Sequence, residues 1–165
     1  GLEDEPYWRD VGTIDAFWQA NIDLTDFVPK LDLYDRSWPI WTYQAQMPPA
    51  KFTFDDEGRR GQAIDSMVSA GCIVSGAKVK RSVISSGCTL HSYSEIKDSV
   101  LLPNVEIGRY CVINRAIIDK GCIVPPNTRI GLDPIEDRKR FYVDDDSGLV
   151  LVTPEMLGQS LHFTR

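Results

Sequence analysis

The stretch that decides the fold runs from Ser66 to Gly131 and repeats a phrase: "SMVSAGCIV" from Ser66, "SVISSGCTL" from Ser82, "SVLLPNVEI" from Ser99 and "AIIDKGCIV" from Ala116. The starts at 66, 82, 99 and 116 give steps of 16, 17 and 17 residues. The intervening segments "SGAKVKR", "HSYSEIKD" and "GRYCVINR" correspond as well, and "PPNTRIG" matches in part. Aliphatic residues mark every line at Val68, Val74, Val79, Ile84, Leu90, Ile96, Leu101, Ile107, Ile113, Ile118, Val124 and Ile130, five or six residues apart. That spacing fits neither a helical period near 3.6 nor the alternation of a simple strand. It fits a chain that turns a corner after each short strand and points one aliphatic side chain inward per side. Three sides make a coil of about seventeen residues, so the pattern predicts a parallel β-helix of triangular section. Small residues such as Ser75-Gly76, Ser86-Gly87 and Gly108 suit the tight bends.

The register predicts that Val74, Leu90, Ile107 and Val124 stack in one interior column. It also places Cys72, Cys88 and Cys122 in another, with Val105 filling the same place in its coil. A valine in that column argues for packing over metal ligation. No CxxC spacing occurs, and only His91 and His162 could join the thiols, so a zinc site is not expected. Reduced thiols suit a cytoplasmic location.

Upstream, "TIDAFWQANIDL" (13–24) sets Ile14, Phe17, Trp18, Asn21 and Ile22 on one helical face, with Thr13 as cap. From 26 to 61 regularity fades among Pro29, Pro39, Pro48, Pro49 and scattered aromatics, which predicts an ordered connector laid on a surface. "DDEGRRG" (55–61) reads as an exposed turn. Downstream, "DPIEDRKR" is charged, "RFYVDDDSGLVLVT" reads as a hairpin, and "PEMLG" opens a short helix. The expected divisions are 1–30, 31–62, 63–133 and 134–165.

A net charge of −6 and a pI near 4.9 supply no basic field for a phosphate backbone, so nucleic acid is not an expected partner. No apolar run is long enough for a membrane span. The amino-terminal "EPYWRDVGT" (5–13) concentrates two aromatics, a cation and a carboxylate ahead of the helix. Taken alone, Asp10 is a carboxylate at a helix start, where it favours the dipole.

The stretches "EPYWRDVGTIDAFWQANIDL", "YDRSWPIWTY", "PPAKF", "VSAGCIVSGA", "SVLLPNVEIG" and "EDRKRFY…SGLVLVT" together resemble the carboxy-terminal part of bacterial ADP-glucose pyrophosphorylase, or glucose-1-phosphate adenylyltransferase. The resemblance implies a mainly β fold. The fold it implies is a left-handed parallel β-helix of hexapeptide-repeat type, preceded by a helix and connector from the end of an α/β catalytic domain expected to lie outside this sequence. That family makes ADP-glucose and pyrophosphate from ATP and glucose 1-phosphate in glycogen synthesis, under allosteric control and as a homotetramer. Nothing here matches its glycine-rich nucleotide loop, so this chain alone is expected to be inactive. The aspartate of "DVGT" carries over onto Asp10 as a catalytic carboxylate holding Mg²⁺. Trp8, Arg9 and Glu5 are the implied neighbours of the sugar phosphate. Effectors in this family are sugar phosphates, nucleotides or small carboxylates, which calls for gathered cations: Arg115, Lys120, Arg109, Arg138 and Arg140, with Arg129 and Lys139 behind them. Arg115 and Lys120 flank the "AII" strand and are expected to reach one edge of a coil. Two other readings share the scaffold: a hexapeptide-repeat acyltransferase, which needs a base such as His91 or His162, and a purely structural β-helix module.

Overall fold

The computed structural model describes residues 7–37 and 45–160. Its strands come in chain order as rounds of a solenoid. The first round holds β1 (Lys51–Thr53), the hairpin β2 (Asp55–Asp56) and β3 (Arg59–Arg60), then β4 (Gln62–Ile64) and β5 (Met67–Val68). The next three rounds are β6 (Ile73–Ser75), β7 (Lys78–Lys80) and β8 (Val83–Ile84); β9 (Thr89–Leu90), β10 (Glu95–Lys97) and β11 (Val100–Leu101); and β12 (Glu106–Ile107), β13 (Val112–Asn114) and β14 (Ala116–Ile118). The last holds β15 (Ile123–Val124) and β16 (Arg129–Ile130), followed by helix α2 (Pro134–Arg140), β17 (Tyr142–Val143) and β18 (Val150–Val152). A 3₁₀ turn follows at Glu155–Leu157.

Three parallel ladders result, β1-β6-β9-β12-β15, β4-β7-β10-β13-β16 and β5-β8-β11-β14-β18, the last with β17 added antiparallel. The expected parallel β-helix is observed, and its ladders already begin at Lys51. Val74, Leu90, Ile107 and Val124 are consecutive partners in one ladder and all are buried. Val79, Ile96, Ile113 and Ile130 form the second interior column, and Ile84, Leu101, Ile118 and Val152 the third.

Each of the three corners repeats a left-handed residue once per round. Gly71, Gly87, Asn104 and Gly121 make one column, with φ between 62 and 78°. Gly76, Tyr93, Tyr110 and Asn127 make the second, and Asp65, Arg81, Asp98 and Arg115 the third. Glycine is thus one solution among several at these bends. Gly108 serves differently from the expectation: it has no left-handed φ, and a Cβ there would lie 2.6 Å from Pro126 N. It admits a close approach of the next round. Tyr93 and Tyr110 stack with centroids 4.9 Å apart, as one round lies about 4.8 Å above the next.

The cysteine column is packing. Cys72, Cys88 and Cys122 are free and buried, with Val105 among them in the ladder, and Cys111 is buried on another face. The adjacent Cys72 sulfur and burial push the Cys88 thiol up, and burial pushes the Cys122 thiol up to about 12.

Helix α1 (Ile14–Asp23) lies across the outward side of the third ladder. Trp18 and Ile22 are buried there against Val100, Ile117 and Leu149, flanked by Ile14, Phe17, Val83 and Leu151. This ladder is therefore apolar on both faces, as a sheet covered by a helix must be. At the far end α2 closes the solenoid. Asp133 caps it from Oδ1, and the buried Asp137 accepts from Gly131 N at 3.0 Å. The open edge of β15 is occupied by the Gln159 side chain, which accepts from Ile123 N and donates to Ile123 O like a neighbouring strand. No helix among the described residues is long and apolar enough to cross a membrane.

Candidate functional site

The segment before α1 is held at three points. Thr13 Oγ1 accepts from Ala16 N at 3.3 Å, which starts the helix, and Asp10 Oδ1 accepts from Gly12 N at 2.8 Å. Asp10 thus forms a tight turn three residues ahead of the cap, with its carboxylate exposed to solvent. Arg9 reaches back along the helix and pairs with Asp23 in the last turn of α1, where Gln19 also donates to Asp23 Oδ1 at 2.7 Å. Burial alone would raise the Asp23 carboxyl, but the hydrogen bonds from Gln19 and Arg9 outweigh it and hold it below the usual carboxylate range. Trp8 is 81% exposed. It lines, with Tyr7, Arg9, Asp23, Val28 and Lys30, a cleft of about 790 Å³ in which Asp10 takes no part. Glu5 lies outside the described residues.

One exposed carboxylate with one oxygen committed to a backbone N–H suits a single metal ligand and no more. Among the described residues no three His, Cys, Asp or Glu side chains converge on a possible ion. Mg²⁺ is commonly held by one or two carboxylates together with substrate phosphates, so Asp10 fits as one contributor whose companions come from elsewhere.

The candidate cations do not gather. Arg115 and Lys120 stand at opposite ends of β14, on different corners. Arg115 Nη2 donates to Ser147 O at 2.8 Å, and its guanidinium lies 4.9 Å from the centre of the Trp18 ring. Lys120 donates its backbone N–H to Asp119 Oδ1 at 2.8 Å. Arg109 sits 5.8 Å from the Tyr93 ring, beside a small cleft that includes His91, Glu106 and Pro125. His91 Nε2 is 2.9 Å from Glu106 Oε1. Arg138 lies 3.5 Å from Asp145, and Lys139 pairs with Glu136 at 2.8 Å. Arg140 donates to Arg129 O at 2.8 Å, lies 3.6 Å from Asp137 and covers Phe141. Arg129 and Arg140 share a cleft of about 500 Å³, and Asp133, Glu136 and Asp137 line it too.

Sequence reasoning passed over the contact between Arg115 and Trp18, and over the corner serines. The serines had a signal, because each of the first three phrases opens on Ser; Arg115 had none, because its aromatic partner lies on a distant helix.

A family model described as "GlmU-like, C-terminal hexapeptide" matches residues 48–152, the region of the ladders. The chain is 66% identical over 159 residues to a glucose-1-phosphate adenylyltransferase of Hydrogenovibrio crunogenus, covering 96% of this chain and 38% of that protein. It is 61% identical over 161 residues to the protein of the same name from Methylococcus capsulatus, covering 98% and 38%, and 59% over 160 residues to that from Nitrosospira multiformis, covering 97% and 37%. The chain therefore spans well under half the length of these relatives, and it matches their carboxy-terminal part. Repeat period, three-ladder solenoid and family match agree, and the chain belongs to the GlmU-like C-terminal hexapeptide family.

Proposed function

We propose that this chain is the regulatory and assembly portion of an enzyme that makes ADP-glucose and pyrophosphate from ATP and glucose 1-phosphate. The observation that carries the reading is the 66% identity over nearly the whole chain to a glucose-1-phosphate adenylyltransferase, which includes the "DVGT" segment as well as the β-helix. Residues 1–30 then close the catalytic unit, 31–62 connect it, 63–133 form the main body of the β-helix, and 134–165 complete its end. Asp10 holds Mg²⁺ together with a partner from the rest of the enzyme. When bound, the metal offsets charge that develops on the phosphates during adenylyl transfer. This chain's own contribution is to hold the Asp10 carboxylate at the start of α1 and to orient the sugar phosphate through Trp8 and Arg9, with Glu5 as a further contact. Anionic effectors, whether sugar phosphates, nucleotides or small carboxylates, are met by separate cations at Arg109, Lys120, Arg138 and Arg140. Assembly is as a homotetramer, and the buried, unpaired thiols suit the reducing cytoplasm.

The test is turnover. The full-length protein, given ATP, glucose 1-phosphate and magnesium, is expected to release ADP-glucose and pyrophosphate, and the 165-residue chain alone to release neither. Acyl transfer by the full-length protein without nucleotidyl transfer would overturn the reading.

A further inference from the structure

Three parts of the molecule meet at Arg115. It occupies the left-handed corner that opens β14, with φ 48°. Its guanidinium covers the Trp18 ring of α1 at 4.9 Å, and its Nη2 donates to Ser147 O in the terminal hairpin at 2.8 Å. Trp18 is itself fixed, because its Nε1 donates to Asp98 O at 2.7 Å on the neighbouring round of the same corner. Ser147 is fixed by Asp144, which accepts from its N at 2.8 Å and its Oγ at 2.6 Å. Leu149, just beyond, packs in one buried cluster with Trp18 and Ile22. The start of α1 faces the hairpin across a cleft of about 620 Å³ lined by Thr13, Asp15, Tyr142, Asp144, Asp146 and Met156.

We propose that Arg115 is a positioning residue: through Trp18 and Ser147 it fixes α1 to the terminal hairpin, so that anything displacing the hairpin changes the placing of the Asp10 carboxylate. The proposal deepens, and rests on, the reading of Asp10 given above. A planar guanidinium can cover a ring and donate in its own plane at once; a lysine ammonium keeps the charge but offers neither the plane nor the fork. The cation inferred from sequence as an effector contact is thus committed to a structural joint.

The experiment uses the full-length protein with Arg115→Ala, Arg115→Lys, Trp18→Leu and the Ala/Leu double variant. The measurements are kcat, KM, the magnesium requirement and amide hydrogen exchange across residues 13–24. Arg115→Ala is expected to lower kcat about tenfold, leave KM for both substrates within about twofold, raise the magnesium requirement and speed α1 exchange. Arg115→Lys should fall close to Arg115→Ala despite its charge, and Arg115→Ala should add little once Trp18 is Leu. Full rescue by lysine, or additive effects in the double variant, would overturn the joint. So would a changed response to an anion such as inorganic phosphate with α1 exchange unaltered. Asp10→Asn separates the two claims. If it keeps normal turnover the metal reading fails, while exchange and additivity still decide the joint; normal α1 exchange in both Arg115 variants overturns it whatever Asp10 does.

Discussion

At the corner that joins the second ladder to the third, each round of the solenoid buries a backbone N–H that the ladder does not pair. A serine of the round before answers it. Ser66 Oγ accepts from Ser82 N at 3.1 Å, Ser82 Oγ from Ser99 N at 3.1 Å and Ser99 Oγ from Ala116 N at 3.2 Å, while each hydroxyl donates to a nearby carbonyl. Ser82 and Ser99 are fully buried, so these hydroxyls exchange no bond with water. Ser99→Ala strands the Ala116 N–H, and is expected to cost about 1–3 kcal/mol in denaturant unfolding. An unchanged midpoint would contradict the ladder. The aliphatic columns respond more sharply. Ile107 is wholly buried between Leu90 and Val124, and Ile107→Lys is expected to abolish the cooperative melt, since an uncompensated buried charge costs several kcal/mol. Wild-type melting would refute the register. These inward positions were legible because five- and six-residue spacing leaves no other solution. The hydroxyl ladder was not, since a serine opening the first three phrases reads equally well as a solvent-facing bend.

At the scale of elements, the two helices contrast. α1 was legible from Ile14, Phe17, Trp18 and Ile22 on one face, and the side it covers was encoded too: "VI", "VL", "II" and "VLV" in β8, β11, β14 and β18 put apolar residues on both sides of one ladder. α2 was not legible. Its lone aliphatic, Ile135, is 69% exposed, and the helix is held by polar contacts that hydrophobic periodicity cannot detect. Asp133 caps it, Pro134 starts it, and Asp137 fastens it to Gly131, whose own Cβ, if present, would lie 1.7 Å from Asn114 O. Burial raises the Asp137 carboxyl above its ordinary value, and the Gly131 N–H and Arg140 only partly offset this. A carboxyl with a raised folded pKa contributes stability that is fully present below its unfolded value, near 3.9, and is lost as pH rises through the folded one. Relative to Asp137→Asn, wild-type melting should therefore be most favourable in acid and lose ground toward neutrality. An advantage growing with pH would show that the Arg140 pair outweighs burial.

For the whole molecule, the β-helix carries a rigid surface on which α1, and so Asp10, is mounted. The catalytic assignment came from the "DVGT" motif; the geometry adds a carboxylate that is exposed, turned by Gly12 N and set before a helix docked on the third ladder. What the sequence concealed was the fate of the cations, because Arg115, Arg138 and Arg140 find partners that only the folded chain brings near. The central claim is that Asp10 serves chemistry rather than the helix, and one variant of the full-length protein tests it. Asp10→Asn keeps size and removes charge. If the carboxylate holds Mg²⁺, turnover should fall roughly a hundredfold or more, equivalent to about 3 kcal/mol in the transition state, with a raised magnesium requirement and nearly unchanged melting. A stability loss of about 1 kcal/mol or less with normal turnover at ordinary magnesium is the signature of a helix-start carboxylate, and that result would contradict the account.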